Sequence, residues 1–229
     1  MLILLLTAGM IGFLHALEVD HMLAVSAFVS RRPSVPLAAR FGARWGLGHS
    51  LAVLAAGGVL LALGIRWPAR WDAFGEALVG AMLVGLGGWA LVSARRMHLH
   101  SVEEHGGHAH LHVHGTGAGH THGHAHEAPA PDHSHGGITA VGFLHGLAGT
   151  SAVVALVPVT LMGDVRAGLG YLAAFGVGVT LAMTLFAMAA AAAMQRAHAR
   201  SLALGRWTVT AVGLAGCVTG VFWIARALA

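Results

Sequence analysis

The residues best placed to do chemistry cluster near the N-terminus, in His15-Ala-Leu-Glu18-Val-Asp20-His21, inside an otherwise apolar run from Leu2 to Ser30. About 20 apolar residues suffice to cross a bilayer. An ionised acid at mid-span costs roughly 2.5–3.5 kcal/mol on the insertion scale, so Glu18 and Asp20 together cost about 5–7 kcal/mol. The run's Leu, Ile, Val and Phe return about 4–8 kcal/mol. The two sums nearly cancel, and the segment needs partner helices, protonation or a cation to compensate its carboxylates. Two imidazoles beside two carboxylates in a dry site point to a divalent metal or a proton path. Such a donor set suits Ni, Co or Zn better than hard cations, and the lack of a thiolate there disfavours Cu(I).

His15, Glu18 and His21 are spaced i, i+3, i+6 and share one side of a helix, whereas Asp20 points roughly the other way. A regular helix cannot aim both carboxylates at one ion. Either the helix is broken here, as in discontinuous transporter helices, or one carboxylate fixes an imidazole from behind. The bland alternative is a hydrogen-bonded His/Asp knot between helices, set against the expense of intramembrane acids, which marks them as functional. His49, in Gly46-Leu47-Gly48-His49-Ser50, and His145, in Leu144-His145-Gly146-Leu147-Ala148-Gly149-Thr150-Ser151, are further candidates to reach this site. Each reads equally well as a packing or hydrogen-bonding group.

A second histidine population lies between residues 98 and 137, which hold 13 of the 18 His in the chain. His108, His110, His112 and His114 alternate with small and apolar residues, as do His120, His122, His124 and His126. Tracts of this kind bind late first-row divalent metals through neutral imidazoles. The interspersed Gly, Ala and Pro, with few large apolar residues, imply a disordered segment without metal. A dispensable linker or a pH-sensitive tether would look similar.

The elements that must position these groups follow from composition. The 229 residues are 56% hydrophobic and 10% charged, which places the chain among polytopic membrane proteins. Its 13 basic residues are all Arg and sit at the ends of apolar runs, so they read as headgroup anchors rather than a nucleic-acid surface. The single Cys217 excludes an internal disulfide. The N-terminal Met-Leu-Ile-Leu-Leu-Leu lacks the basic start of a signal peptide. Six spans can be drawn: Leu2–Ser30, Arg44–Ile65, Phe74–Val92, Ile138–Met162, Ala167–Met194 and Trp207–Ala227. Placing the N-terminus outside puts Arg31, Arg32, Arg40, Arg44, Arg95, Arg96, Arg196, Arg200 and Arg206 in cytoplasmic connections. It leaves Arg66, Arg70, Arg166 and Arg226 outside. That bias favours both termini outside and the His-rich connection in the cytoplasm.

An internal repeat supports the same plan. Gly12-Phe13-Leu14-His15 returns 130 residues later as Gly142-Phe143-Leu144-His145. At that shift Trp45-Gly-Leu-Gly-His-Ser-Leu-Ala-Val53 matches Phe175-Gly-Val-Gly-Val-Thr-Leu-Ala-Met183. Three spans per half make the halves face opposite ways, as in many secondary transporters with sites between the repeats. Asp20, His21 and His49 become Thr150, Ser151 and Val179, so a site here is asymmetric and only His145 answers His15. The expected fold is an all-α polytopic membrane protein with six transmembrane helices as two inverted three-helix repeats. Its parts are residues 1–97, a His-rich loop at 98–137, and residues 138–229.

His15-x4-Asp20-His21 on one span, followed by Gly48-His49-Ser50 on the next, resembles the signature of the nickel/cobalt transporter (NiCoT) superfamily. The His-rich connection is similar to that of its nickel/cobalt exporters. His145-Gly146-Leu147-Ala148-Gly149 resembles the second-half motif of the short urease-accessory-type permeases. The acidic second-half motifs of larger members are replaced by Gly149-Thr150-Ser151. The resemblance implies a non-enzymatic permease for Ni²⁺ or Co²⁺ in the cytoplasmic membrane. His15, Asp20 and His21 would select the metal, with Glu18, His49 and His145 near the path. The ion is cargo rather than a resident cofactor, and Zn²⁺ is a further candidate. Expected partners are divalent ions, the lipid bilayer and nickel-enzyme maturation proteins, not nucleic acid. The competing reading is a non-transporting metal sensor, or a urease/hydrogenase maturation partner, acting through the His-rich loop. An intramembrane metalloenzyme is disfavoured by the absence of a His-Glu-x-x-His motif, and anion transport by the acidic site.

Overall fold

The computed structural model describes residues 1–30, 33–65, 70–95, 97–99, 111–113, 134–148, 159 and 164–229. The order is α1 (Leu2–His15), α2 (Val19–Val29), α3 (Val35–Leu63), α4 (Arg70–Arg95), β1 (Met97–Leu99), β2 (Leu111–Val113), α5 (Ser134–Ala148), α6 (Val165–Arg200) and α7 (Leu202–Leu228). The helices α3, α4, α6 and α7 are each long and apolar enough to cross a membrane, and α1 with α2 makes a fifth candidate, bent by 62°. Their outward faces carry Leu6, Met10, Leu47, Leu51, Val177, Leu181, Val218 and Phe222, all exposed. Continuous apolar exposure of this kind suits lipid, not water. The chain is a helical, multi-pass membrane protein.

Local chemistry sets the helix ends. Pro36 sits in the first turn of α3, where a missing N–H costs nothing. At its other end Gly64 takes φ 63°, while Ile65 N–H donates to Leu60 O at 3.2 Å and Gly64 N–H to Leu61 O at 3.3 Å. That pattern closes the helix with a left-handed glycine. Asp164 caps α6 by accepting from Arg166 N–H at 2.9 Å, and Ser201 Oγ caps α7 by accepting from Leu204 N–H at 3.0 Å. The second span begins at Val35, not Arg44, and the fifth runs to Arg200, not Met194. Arginines that mark connections by charge here extend helices, because Arg is a good helix former. Of the expected span Ile138–Met162, α5 covers the first part; residues 149–158 and 160–163 lie outside those described.

Glycines let the helices meet backbone to backbone. A Cβ on Gly12 of α1 would strike the Phe175 carbonyl of α6, and one on Gly142 of α5 would strike the Trp45 carbonyl of α3. These two contacts are the same contact shifted by 130 residues. Gly48 against Thr139 and Gly178 against Gly9 form a second such pair. Between α3 and α6, Gly46 meets Thr180 and Gly176 meets Ser50, so these helices run antiparallel. Ser50 and Thr180, themselves 130 apart, place their hydroxyls 3.3 Å from each other, and Ser50 Oγ also lies 2.9 Å from Gly176 O as donor. The helices α4 and α7 pair antiparallel through Gly80 with Gly220 and Gly87 with Gly213. The main core gathers Val25, Val29, Trp45, Val53, Ile138, Leu172, Phe175, Val179 and Met183 between α2, α3, α5 and α6. Inside the His-rich connection β1 and β2 pair antiparallel, with His98 opposite His112. Its composition does not foretell this backbone pairing.

Candidate metal centre

The first apolar run is broken where its acids lie. After His15 the chain makes two tight turns, Leu17 N–H to Leu14 O and Glu18 N–H to His15 O, both at 3.0 Å. Glu18 is then extended (φ −66°, ψ 150°) and α2 begins at Val19. There is no Pro or Gly at the break to explain it. The side chains supply the reason: Asp20, in the first turn of α2, accepts from His21 N–H at 2.9 Å, satisfying a helix-start donor near the positive end of the dipole. Both alternatives left open by the spacing are realised, since the helix is broken and both carboxylates hold imidazoles.

Glu18 Oε1 accepts from His15 Nδ1 at 2.8 Å, and Asp20 Oδ1 accepts from His21 Nδ1 at 2.9 Å. Asp20 Oδ2 accepts from His145 Nε2 at 3.0 Å, joining α2 to α5. An ionised carboxylate only accepts, so each of these ring nitrogens carries the proton. The opposite nitrogens, His15 Nε2, His21 Nε2 and His145 Nδ1, are buried and have no hydrogen-bond partner among the described residues. On neutral rings they are lone pairs turned inward. His49, on α3, has neither ring nitrogen bonded among the described residues. The Asp20 side chain is 4% exposed and that of Glu18 is 39%, so Asp20 belongs to the dry interior and Glu18 to its margin.

Thus α1 and α2 bring His15, Asp20 and His21, α3 brings His49 and α5 brings His145. The ring of His21 lies 4.6 Å from His15, 5.2 Å from His49 and 4.3 Å from His145 between centroids. Two sets of ligand atoms can each be chosen to lie within 4.8 Å of one another: His15, His21 and His49, and Asp20, His21 and His145. Imidazoles and a carboxylate at such spacings suit a late first-row divalent ion, and carboxylates behind the rings hold their orientation.

Two aromatic walls complete the site, and they were not among the expected site residues. Trp45 stacks on His49 at 5.2 Å and 18° and meets His21 and His145 edge-on at 5.1 and 5.3 Å. Phe175 lies 5.6 Å from His15. Both aromatics are fully buried. The signal for them was in the sequence: they are the matching first residues of the second repeated segment. Of the loop histidines, His112 stands on β2, and His108, His110, His114, His120, His122, His124 and His126 lie outside the described residues.

No family model and no solved structure matches the chain. Among curated proteins it is similar to the urease accessory protein UreH of Bacillus sp. (strain TB-90), 29% identical over 191 residues. The match covers 81% of this chain and 75% of that protein. The resemblance to NiCoT-type, urease-accessory permeases read from a dozen residues is therefore matched by similarity to a urease accessory protein along four-fifths of the chain.

Proposed function

We propose that the protein is a membrane permease for divalent transition-metal ions, Ni²⁺ or Co²⁺, with its site at the break between α1 and α2. One observation carries this reading. His15, His21 and His49 are buried, and among the described residues each keeps a ring nitrogen without a hydrogen bond. Ligand atoms of the three can be chosen within 4.8 Å of one another, and carboxylates hold the other nitrogen of two of the rings. A purely structural knot would use up these nitrogens, since unpaired buried polar atoms are costly. A cation repays that cost and the charge of Asp20 together. The relative's name adds a context: a urease accessory role is consistent with handling nickel for that enzyme.

The inverted arrangement of two three-helix halves is part of the same proposal. It is supported by helix contacts that recur at a shift of 130 and by the antiparallel course of α3 against α6 and α4 against α7. A site between such halves can be opened to one side and then the other by rocking. The test is uptake into proteoliposomes with Ni, Co, Zn and Mn in competition, with and without a proton gradient. Parent protein should show saturable Ni²⁺ or Co²⁺ flux, and His21→Ala should reduce it to the empty-liposome level. Flux that survives His21→Ala unchanged removes the proposed site. In cells, less accumulated nickel in the parent than in that variant means export, and more means import.

A further inference from the structure

We infer that the centre contains two overlapping stations for the ion, sharing His21, and that transport exchanges His15 for His145 as ligand. This rests on the permease reading. The two ligand sets have only His21 in common, whose ring lies 4.6 Å from His15 and 4.3 Å from His145, and they adjoin through His49 and His145, 6.1 Å apart. They also differ in readiness. In the set of His15, His21 and His49, each imidazole has an unbonded nitrogen available. In the set of Asp20, His21 and His145 the carboxylate is occupied by both rings, through Oδ1 to His21 and Oδ2 to His145. The first set receives a cation without breaking any hydrogen bond among its members. In the second set an ion has to share the Asp20 oxygens with the two ring N–H groups, through the lone pairs those bonds leave. It there meets a full negative charge in a buried position, 3% exposed.

The residues exchanged are equivalents in the repeat, 130 apart, and they stand on different halves of the molecule. His15 ends α1, which packs through Gly12 on α6, and His145 lies on α5, which packs through Gly142 on α3. Relative movement of the halves therefore shifts His145 against the pair His15 and His21, which stand on either side of the break between α1 and α2. His21 keeps hold of the ion during that movement, so the cargo is never released uncoordinated into an apolar interior, where an unpaired charge is very costly.

The test separates binding from passage. Full-length protein is titrated with Co²⁺, whose visible absorption reports its ligands, and flux is measured in proteoliposomes at saturating Co²⁺. Binding by the His-rich connection is common to all variants and cancels in the comparison. His15→Ala should lose the intramembrane component of binding and the flux. His145→Ala should keep Co²⁺ affinity within about threefold while maximal flux falls about tenfold or more, the pattern of a group needed after initial binding. His145→Gln, which keeps a donor for Asp20, should behave like His145→Ala, so that loss of flux is not loss of the hydrogen bond. If the His145 variants weaken binding as much as His15→Ala, there is one joint site and no exchange. If they leave flux unchanged, the second station does not exist. A parent protein with no saturable flux at all defeats the permease reading itself, an outcome distinct from either of these.

Discussion

Glu18 and Asp20 each accept from an imidazole, and this decides what their removal does. Glu18→Ala frees one ring, His15, at the margin of the site. Asp20→Asn disturbs two rings, because an amide has a single oxygen to accept with and presents its NH₂ group to the other donor. Loss of a partner behind a ligating imidazole costs about 10–100-fold in metal affinity. We expect Glu18→Ala at the lower end of that range and Asp20→Asn at the upper end, because Asp20→Asn loosens His21, the ring common to both ligand sets, and removes the buried negative charge. Equilibrium dialysis of Co²⁺ with His15→Ala as baseline measures both. Equal losses in the two variants would mean that the carboxylates act only as bulk negative charge. The spacing of these residues was legible in the sequence. That the acids would face imidazoles and not each other was not, because it depends on a bend of 62° that carries no Pro or Gly signal.

At the scale of helices, the site stands on close approaches that tolerate no side chain. Gly12 and Gly142 each face a backbone carbonyl of the opposite half, Phe175 and Trp45 respectively, and those two residues are the aromatic walls of the candidate metal centre. Adding one methyl group at such a contact forces helices apart and costs about 1–3 kcal/mol. Gly12→Ala and Gly142→Ala should each lower the apparent melting temperature in detergent and displace a wall of the site. Gly85→Ala, in a helix interior with open space beside it, should leave the melting temperature unlowered or slightly raised. The contrast is read by fluorescence-detected size exclusion after heating. If all three variants melt alike, glycine packing does not hold the halves together. The repeat was visible as two collinear matches, yet its physical meaning, paired crossings at Gly12/Phe175 and Gly142/Trp45, appears only when the helices are assembled.

For the whole molecule, the distribution of charge predicts an orientation. Nine arginines fall in connections on one side of the drawn topology and four on the other, which favours both termini outside. With Cys217 replaced by Ala, single cysteines introduced beside Met1 and Ala229 should react with a membrane-impermeant maleimide on intact cells. One at Ser101 should react only after permeabilisation. Reaction of Ser101→Cys in intact cells, without the termini, reverses the topology and moves the His-rich connection to the other side. Such a reversal would leave the proposed metal centre intact, since that depends on packing and not on which face is cytoplasmic.

The sequence alone determined the medium and the cast. An apolar fraction above half, Arg at run ends and two acids inside the first run define a multi-pass helical chain with an unusual polar spot, because transfer costs act on each segment independently of its neighbours. The histidines of the first two spans and His145 could be named for the same reason. Tertiary structure alone decided who touches whom. It turned Asp20 into a clamp on His21 and His145, set Trp45 and Phe175 as walls, and gave His21 its shared position between two ligand sets. Those outcomes depend on a local break and on glycine crossings between distant segments, and distances of that kind are not encoded in spacing along a chain.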